Sequence, residues 1–268
     1  MPQPIITLTT DFGEESPYVA AMKGVILSVN PEARLLDLCH QIGPQDVRHA
    51  AFFLAGAIPY FPSAAVHVVV VDPGVGTERA LLYVEIGGQR LLAPDNGCWT
   101  RLARNGLVPT RVLRLTESRF WRQPVSPTFH GRDILAPVAG HLSRGVDAAE
   151  LGPQVSQWVS LPWPLPSIGK KMIRGEVVFA DHFGNLITNI PATAISGEPG
   201  ILKVGKKKFR RGFRWVRTYG EATPGTLVAL IGSSGTMEVA LVQGNAAQKL
   251  RAGNGTPIGI GWRRLAGR

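Results

Sequence analysis

The stretch that most constrains this chain is Val66–Arg79, which reads V-H-V-V-V-V-D-P-G-V-G-T-E-R. A β-branched run such as Val68–Val71, closed by turn residues, suits a strand covered on both faces. That is the situation in a parallel sheet flanked by helices. Charge arrives where the strand should end: Asp72, then Pro73-Gly74-Val75-Gly76, then Arg79. In open α/β sheets, ligands bind in the crevice beyond the carboxyl ends of the strands. Taken alone, the stretch reads first as a glycine-bearing turn in which Asp72 caps the next element and Arg79 is solvated.

The flanking segments fit such a sheet. Ile5–Thr9 predicts a strand, Pro17–Val29 a helix stopped by Asn30-Pro31, and Arg34–Leu38 a second strand. Asp46 is a candidate N-cap for a helix running to Ala57. Leu81–Ile86 and Arg90–Ala93 flank Gly87-Gly88 as a hairpin does. A short helix is expected around Cys98–Ala103, a strand over Arg111–Leu115, and a helix over Ile134–Leu142 with Asp133 as a candidate N-cap. Strands alternating with helices predict βαβ units. Beyond Trp158 the pattern changes. Pro162, Pro164 and Pro166 stiffen a connector, and short glycine-punctuated strand patterns follow with no convincing helix. The expected organisation is an α/β N-terminal domain with a largely parallel sheet over 1–160, a proline-rich linker over 161–171, and a smaller all-β, barrel-like C-terminal domain over 172–268.

A content of 44% hydrophobic and 18% charged residues in 268 gives ample core for both. No apolar run approaches the ~20 residues that span a bilayer, and Met1-Pro2-Gln3-Pro4 lacks a secretory signal pattern. Cys39 and Cys98 are too few for a disulfide framework, and no C-x-x-C pair occurs. A reduced, cytoplasmic protein without a membrane partner is expected.

The net charge is +10, and eight basic residues crowd between Lys203 and Arg217, interleaved with Phe209, Phe213 and Trp215. This segment, 203–217, reads first as a solvated hairpin with alternate residues facing a core. A nucleic-acid or anion-binding module is the alternative, although nucleic acid is not the expected partner.

Several motif matches can be set aside. Asp11-Phe12-Gly13 has no kinase loop or lysine before it. Gly74-Val75-Gly76 lacks the full dinucleotide fingerprint, and Gly232-Ser233-Ser234-Gly235 is not G-x-S-x-G. His49, His67 and His141 fall on apolar elements, where core or surface roles are the simpler reading, and no H-x-H or H-E-x-x-H supports a metal-dependent hydrolase. What persists is a set of polar residues at predicted strand ends and in loops: Asp11, Asp72, Arg79, Asp95, Asn96 and His130, with Asp181-His182-Phe183-Gly184-Asn185 in the second domain.

Five ordered blocks then carry a resemblance. They are Thr10-Asp11-Phe12-Gly13, Val71–Thr77, Ala93–Gly97, Thr128–Asp133, and Asp181–Asn185 with Thr188-Asn189. From about Ile5 to about Gly261 the chain resembles the S-adenosylmethionine (SAM) hydroxide adenosyltransferase family, the SAM hydrolases related to fluorinase and chlorinase. The resemblance implies an α/β domain followed by a β-barrel domain, and a homotrimer with active sites between subunits. It also implies hydrolysis of SAM to adenosine and methionine by water or hydroxide attack at ribose C5′, with SAM as substrate and no cofactor or metal. The hydrolases carry an Asp, Arg and His constellation that here would be Asp72, Arg79 and His130, holding and polarising the attacking water. Asp11 would bind the ribose hydroxyls, Phe183 would stack on adenine, and Asn185 would pair with its edge. Asp181 would meet the methionine ammonium, and Ser234 its carboxylate. Two departures stand out. The Asp181–Asn185 spacing is one residue shorter than in the halogenases, and Ser234 lies where those enzymes have arginine. A SAM-dependent halogenase is the rival reading, opposed by Gly131, where halide-binding members have serine.

Overall fold

The computed structural model describes residues 3–104 and 106–262, and the chain divides into two compact units, Met1–Pro162 and Trp163–Arg268. The first unit contains β1 (Ile5–Thr10), α1 (Tyr18–Val29), β2 (Arg34–Cys39), α2 (Val47–Ala57), β3 (Val66–Val70), β4 (Leu81–Ile86), β5 (Gln89–Pro94), α3 (Thr100–Arg104), β6 (Pro109–Arg114) and α4 (Ala136–Ser143). Its six strands lie in the order β2-β1-β3-β5-β4-β6. The β1–β2, β1–β3 and β3–β5 pairings are parallel, while β4 runs antiparallel to β5 and β6.

The valine run shows why this sheet forms. Val66, Val68 and Val70 join the core containing Met22 and Ile26 of α1 and Val138 of α4. Val69 and Val71 point the other way, into the core containing Ala50 and Leu54 of α2 and Leu102 of α3. Every position of β3 is buried. Burying a valine contributes roughly 1.5 kcal/mol or more, so a run with no polar face can satisfy itself only between two helical layers. Asp46 caps α2, accepting from the His49 N–H at 2.9 Å.

The expected N-cap role of Asp133 is overturned. The residues before α4 form a π-turn, Gly131–Leu135, and Asp133 lies inside it, fully buried. A cap carboxylate accepts from N–H groups two or three residues ahead. This one reaches back seven residues, to the Ser126 N–H at 2.9 Å.

The second unit holds β7 (Ser167–Ile168), β8 (Met172–Ala180), β9 (Leu186–Pro191), β10 (Ile201–Val204), β11 (Lys207–Phe209), β12 (Arg214–Trp215), β13 (Leu227–Ile231), β14 (Thr236–Leu241), α5 (Ala246–Leu250) and β15 (Pro257–Gly261). The proline-bearing stretch thus contributes β7, which pairs with β8. The expectation of no helix here is corrected by α5, one short turn capped by Asn245, which accepts from the Gln248 N–H at 2.8 Å. Five residues are too few for a helical period to register in sequence.

The main strand order is β11-β10-β15-β8-β9-β14-β13-β12. If flat, the two edges would stand about 34 Å apart, at ~4.8 Å per strand. Yet only residues 210–213 connect β11 to β12, and that link reaches at most about 17 Å. The sheet therefore curls into an open half-barrel around Ile173, Leu186, Leu202, Val239 and Ile260. The 203–217 segment includes the predicted hairpin: Leu202 pairs with Phe209, Leu202 and Val204 are buried, and Lys206–Lys208 are exposed.

Candidate active site

From β1 the strand order of the first sheet runs in opposite directions, to β2 on one side and to β3 on the other. This reversal is where doubly wound sheets open a crevice. Thr10 registers with Val70, so Asp11 and Asp72 leave adjacent parallel strands at the same edge.

Arg79 gathers the candidates. Its Nε lies 2.9 Å from each Asp72 oxygen, and its Nη2 lies 2.5 Å from Oδ2. The two side chains are only 7% and 11% exposed, which makes this a desolvated ion pair rather than a surface one. The same Nη2 is 2.9 Å from His130 Nδ1. A guanidinium offers donors only, so Nδ1 accepts and the ring proton sits on Nε2. Burial, and then the Arg79 charge, pull the His130 pKa below its ordinary 6.5, against weaker opposing effects of Asp72 and Asp133. His130 is therefore neutral at neutral pH, with Nε2–H as its outward donor.

Two close approaches bring the His130 loop to this edge. A Cβ on Gly76 (φ +79°) would fall 2.8 Å from the Pro127 carbonyl, so glycine allows the Asp72–Arg79 turn to press on that loop. Phe12, Tyr18 and Phe129 form a triangle of edge-to-face rings with centroids 5.2–5.8 Å apart. Phe12 follows Asp11 and Phe129 precedes His130, so the rings tie both loops together. Asp11 itself accepts from the Gln45 N–H at 2.8 Å.

Sequence reasoning passed over a chain behind Asp11. Thr10 Oγ1 lies 3.0 Å from His40 Nδ1, and His40 Nε2 is 2.9 Å from Asp37, which Lys23 also meets at 2.5 Å. The His40 carbonyl accepts from the Gly13 N–H at 2.8 Å and so pins the Asp11 loop. His40 directly follows β2, the same positional signal that singled out Asp72. By contrast, Asp95 and Asn96 act as braces: Asp95 accepts from the Val159 N–H, and Asn96 donates to the Val71 carbonyl, both at 2.8 Å.

In the second unit, Asp181 and Asn185 hold each other. Asp181 accepts from the Asn185 N–H at 2.8 Å and from Nδ2 at 2.9 Å. Gly184, at φ +81°, closes this turn against Asn245 at the start of α5, where no side chain fits. Phe183 projects from the turn 73% exposed, which rules out a core role. Ser234 Oγ lies 2.9 Å from Thr236 Oγ1.

Glu238, another residue not foreseen, links these pieces. It is buried, bonded by the Tyr219 hydroxyl, and pressed by Gly232 of the Ser234 turn. Burial raises its pKa and the Asp181 charge adds to this, while the Tyr219 bond opposes. A single acid within M-E-V-A-L reads as an outward strand position, so nothing local announced its burial.

Among the described residues, no cluster of three or more His, Cys, Asp or Glu is placed to hold a metal ion, and no helix is long and apolar enough to cross a membrane. Two family profiles match in order: the SAM hydroxide adenosyltransferase N-terminal domain over residues 6–152 and its C-terminal domain over 175–259. The chain belongs to the SAM hydroxide adenosyltransferase family. It is 39% identical to the (R)-S-adenosyl-L-methionine hydrolase of Salinispora tropica over 93% of this chain and 94% of that one. A fluorinase from Actinoplanes is more distant, 28% identical over 71% of this chain and 72% of its own. The crystal structure of an uncharacterized conserved protein from Thermotoga maritima superposes with a TM-score of 0.88 at 34% identity, covering 97% and 100% of the two chains. In this member of the family, a Cβ at Gly131 would come within 3.0 and 3.1 Å of the Val70 methyls and 3.3 Å of Met22 Sδ. A serine there makes the Val70 methyls and the Met22 sulfur give by a few tenths of an ångström. We expect Gly131→Ser to lower SAM turnover without conferring chloride-dependent formation of 5′-chloro-5′-deoxyadenosine, as chromatography of the products would report.

Proposed function

We propose that this protein hydrolyses SAM to adenosine and L-methionine by attack of water or hydroxide at ribose C5′. The observation that carries the reading is the single guanidinium, Arg79, engaging Asp72 and His130 Nδ1 at once. The test is to incubate the full chain with SAM and identify products. Adenosine and methionine in equal amounts support the reading; intact SAM under conditions where the protein is folded ends it. Relatives are named for the (R) sulfonium, and we carry that preference to this chain.

The displacement forms a C5′–O bond as the C5′–S bond breaks. The sulfonium leaves as a neutral thioether, so no general acid and no cofactor is called for, and one proton is released from the attacking water. What the protein must supply is alignment and stabilisation of hydroxide character. With its Nδ1 engaged, His130 accepts a proton only by breaking its contact with Arg79. Its role is to donate from Nε2–H to the nucleophile. Asp72 is the acceptor: a carboxylate has about four lone-pair sites, and the three Arg79 contacts leave capacity for a water proton. The sign of the pH dependence follows. Protonating His130 places N–H against N–H, so kcat should fall as pH drops below 6.5 and stay flat above neutrality; a pH–rate profile checks this.

For the substrate, we assign Asp11 to the ribose hydroxyls, Phe183 to adenine stacking and Asn185 to the adenine edge. Asp181 is assigned to the methionine ammonium and Ser234 to its carboxylate. An exposed ring on a tight turn stacks at little ordering cost, and base–aromatic stacking is worth about 1–3 kcal/mol. Phe183→Ala should therefore raise KM about 5- to 150-fold and leave kcat within a few-fold, read from steady-state kinetics. We further propose a homotrimer with active sites between subunits, working in the cytoplasm. Light scattering should return about three times the 28.9 kDa chain mass.

A further inference from the structure

The basic segment 203–217 lies at the seam of the half-barrel. Because residues 210–213 bridge the two sheet edges, β11 and β12 face each other across a gap. That gap is a groove of about 350 Å³ lined by Phe209 from one edge, Phe213 from the bridge, Arg214 from the other edge and Lys249 from α5. Gly212 and Gly225 line it as well and leave it without bulk. The volume lies in the range of small-molecule sites. Both rings are half-buried, with one side packed on the barrel core. No acidic residue occurs between Lys203 and Arg217, and the nearest following acid, Glu221, is held by Arg217 at 3.0 Å. Lys206, Lys208 and Arg211, close in sequence to the groove residues, are exposed as well.

We propose that this seam binds single-stranded nucleic acid, with a base stacked against Phe209 and Phe213 and its phosphate held by Arg214 and Lys249. Flat rings beside exposed cations match the paired chemistry of a base and its phosphate, and the flanking lysines continue the charge for neighbouring phosphates. A free mononucleotide offers the same pair of groups. A uridine ligand keeps the experiment clear of the proposed adenosyl site.

Anisotropy of a fluorescent 12-mer of oligouridylate with the full chain tests this. Four neutralised phosphates, at about −0.7 in logarithmic slope each, predict about fiftyfold weaker binding on raising salt from ~50 to ~200 mM. Arg214→Glu with Lys249→Glu should weaken binding at least tenfold and flatten that slope. Phe213→Ala should weaken it about tenfold with the slope kept, and all variants should retain wild-type SAM turnover. If UMP displaces the strand at comparable concentration, the occupant is a mononucleotide. Absence of saturable binding at low salt, displacement by inorganic phosphate as effective as by UMP, or affinity unchanged in the charge-reversed variant overturns the proposal. Phe213 partly supports the core, so the charge reversal decides the matter if the alanine variant fails to fold.

Discussion

Replacing His130 with alanine is expected to lower kcat for SAM hydrolysis by about 10²- to 10³-fold, with KM changed less than about threefold. The magnitude is that of removing one preorganised donor from a developing oxyanion, roughly 2.7–4 kcal/mol. Its source is the tautomer that Arg79 imposes: with Nδ1 accepting at 2.9 Å, only Nε2–H faces outward. This makes His130→Gln the decisive companion. A glutamine amide can accept from Arg79 through its oxygen and donate through its nitrogen, so it should recover most of the lost turnover and abolish the fall in kcat below pH 6.5. Were His130 the proton acceptor, glutamine would be as poor as alanine. Equal loss in both variants, measured as kcat at saturating SAM on folded protein, rejects the donor role. Arg79→Lys probes the same geometry from its centre. One ammonium retains the charge but lacks the planar fork that spans Asp72 and His130, so its turnover should fall with that of His130→Ala.

The parts of the molecule readable in sequence were those decided locally. Val68–Val71 could satisfy its apolar side chains only as a strand with cover on both faces, and that fixed the layer order around β3. Asp72 and Arg79, seven residues apart across a glycine turn, were within reach of each other by chain length alone. That His130 would meet them, 51 residues beyond Arg79, followed from resemblance and not from any period. Residues whose environment is set by distant chain were misread or missed. Glu238 is buried because Tyr219 and the Gly232 turn close over it, contacts that no pattern in M-E-V-A-L announces. The groove beside Phe213 exists because the sheet curls until its edges nearly meet, a consequence of the whole strand order. Asp133 is the clearest case. A carboxylate just before an apolar helix is the usual sign of an N-cap, yet a π-turn draws it inside.

That buried carboxylate sets the second large effect. Asp133 is 0% exposed and accepts from Arg132 Nε and Nη2 at 2.7 and 2.8 Å, from Arg122 at 3.3 Å, and from the Ser126 N–H at 2.9 Å. Its backbone continues the lacing: its N–H donates to the Phe129 carbonyl at 3.1 Å, and its carbonyl accepts from the Arg122 N–H at 2.8 Å. Removing one partner of a buried ion pair costs about 3–5 kcal/mol. Both arginines can swing toward water, so Asp133→Ala should sit near the lower bound, about 3 kcal/mol, in urea unfolding of the full chain. Asp133→Asn should recover little of this, because an amide nitrogen would face the Arg132 or Ser126 donors. Burial pushes the Asp133 pKa up, but the Arg132 bonds, the Ser126 N–H and the arginine charges outweigh it and hold the carboxyl below its ordinary 3.8. Its contribution is therefore complete above about pH 4 and is lost as pH falls through the depressed value. Wild type should lose stability in that acid window more steeply than Asp133→Asn, and parallel acid titrations of the two would show it. Because Phe129 and His130 lead directly into this turn, the variants should also lose SAM turnover at temperatures where they are still folded. Full turnover in a folded Asp133→Ala protein would mean that His130 keeps its place without the π-turn's buried anchor.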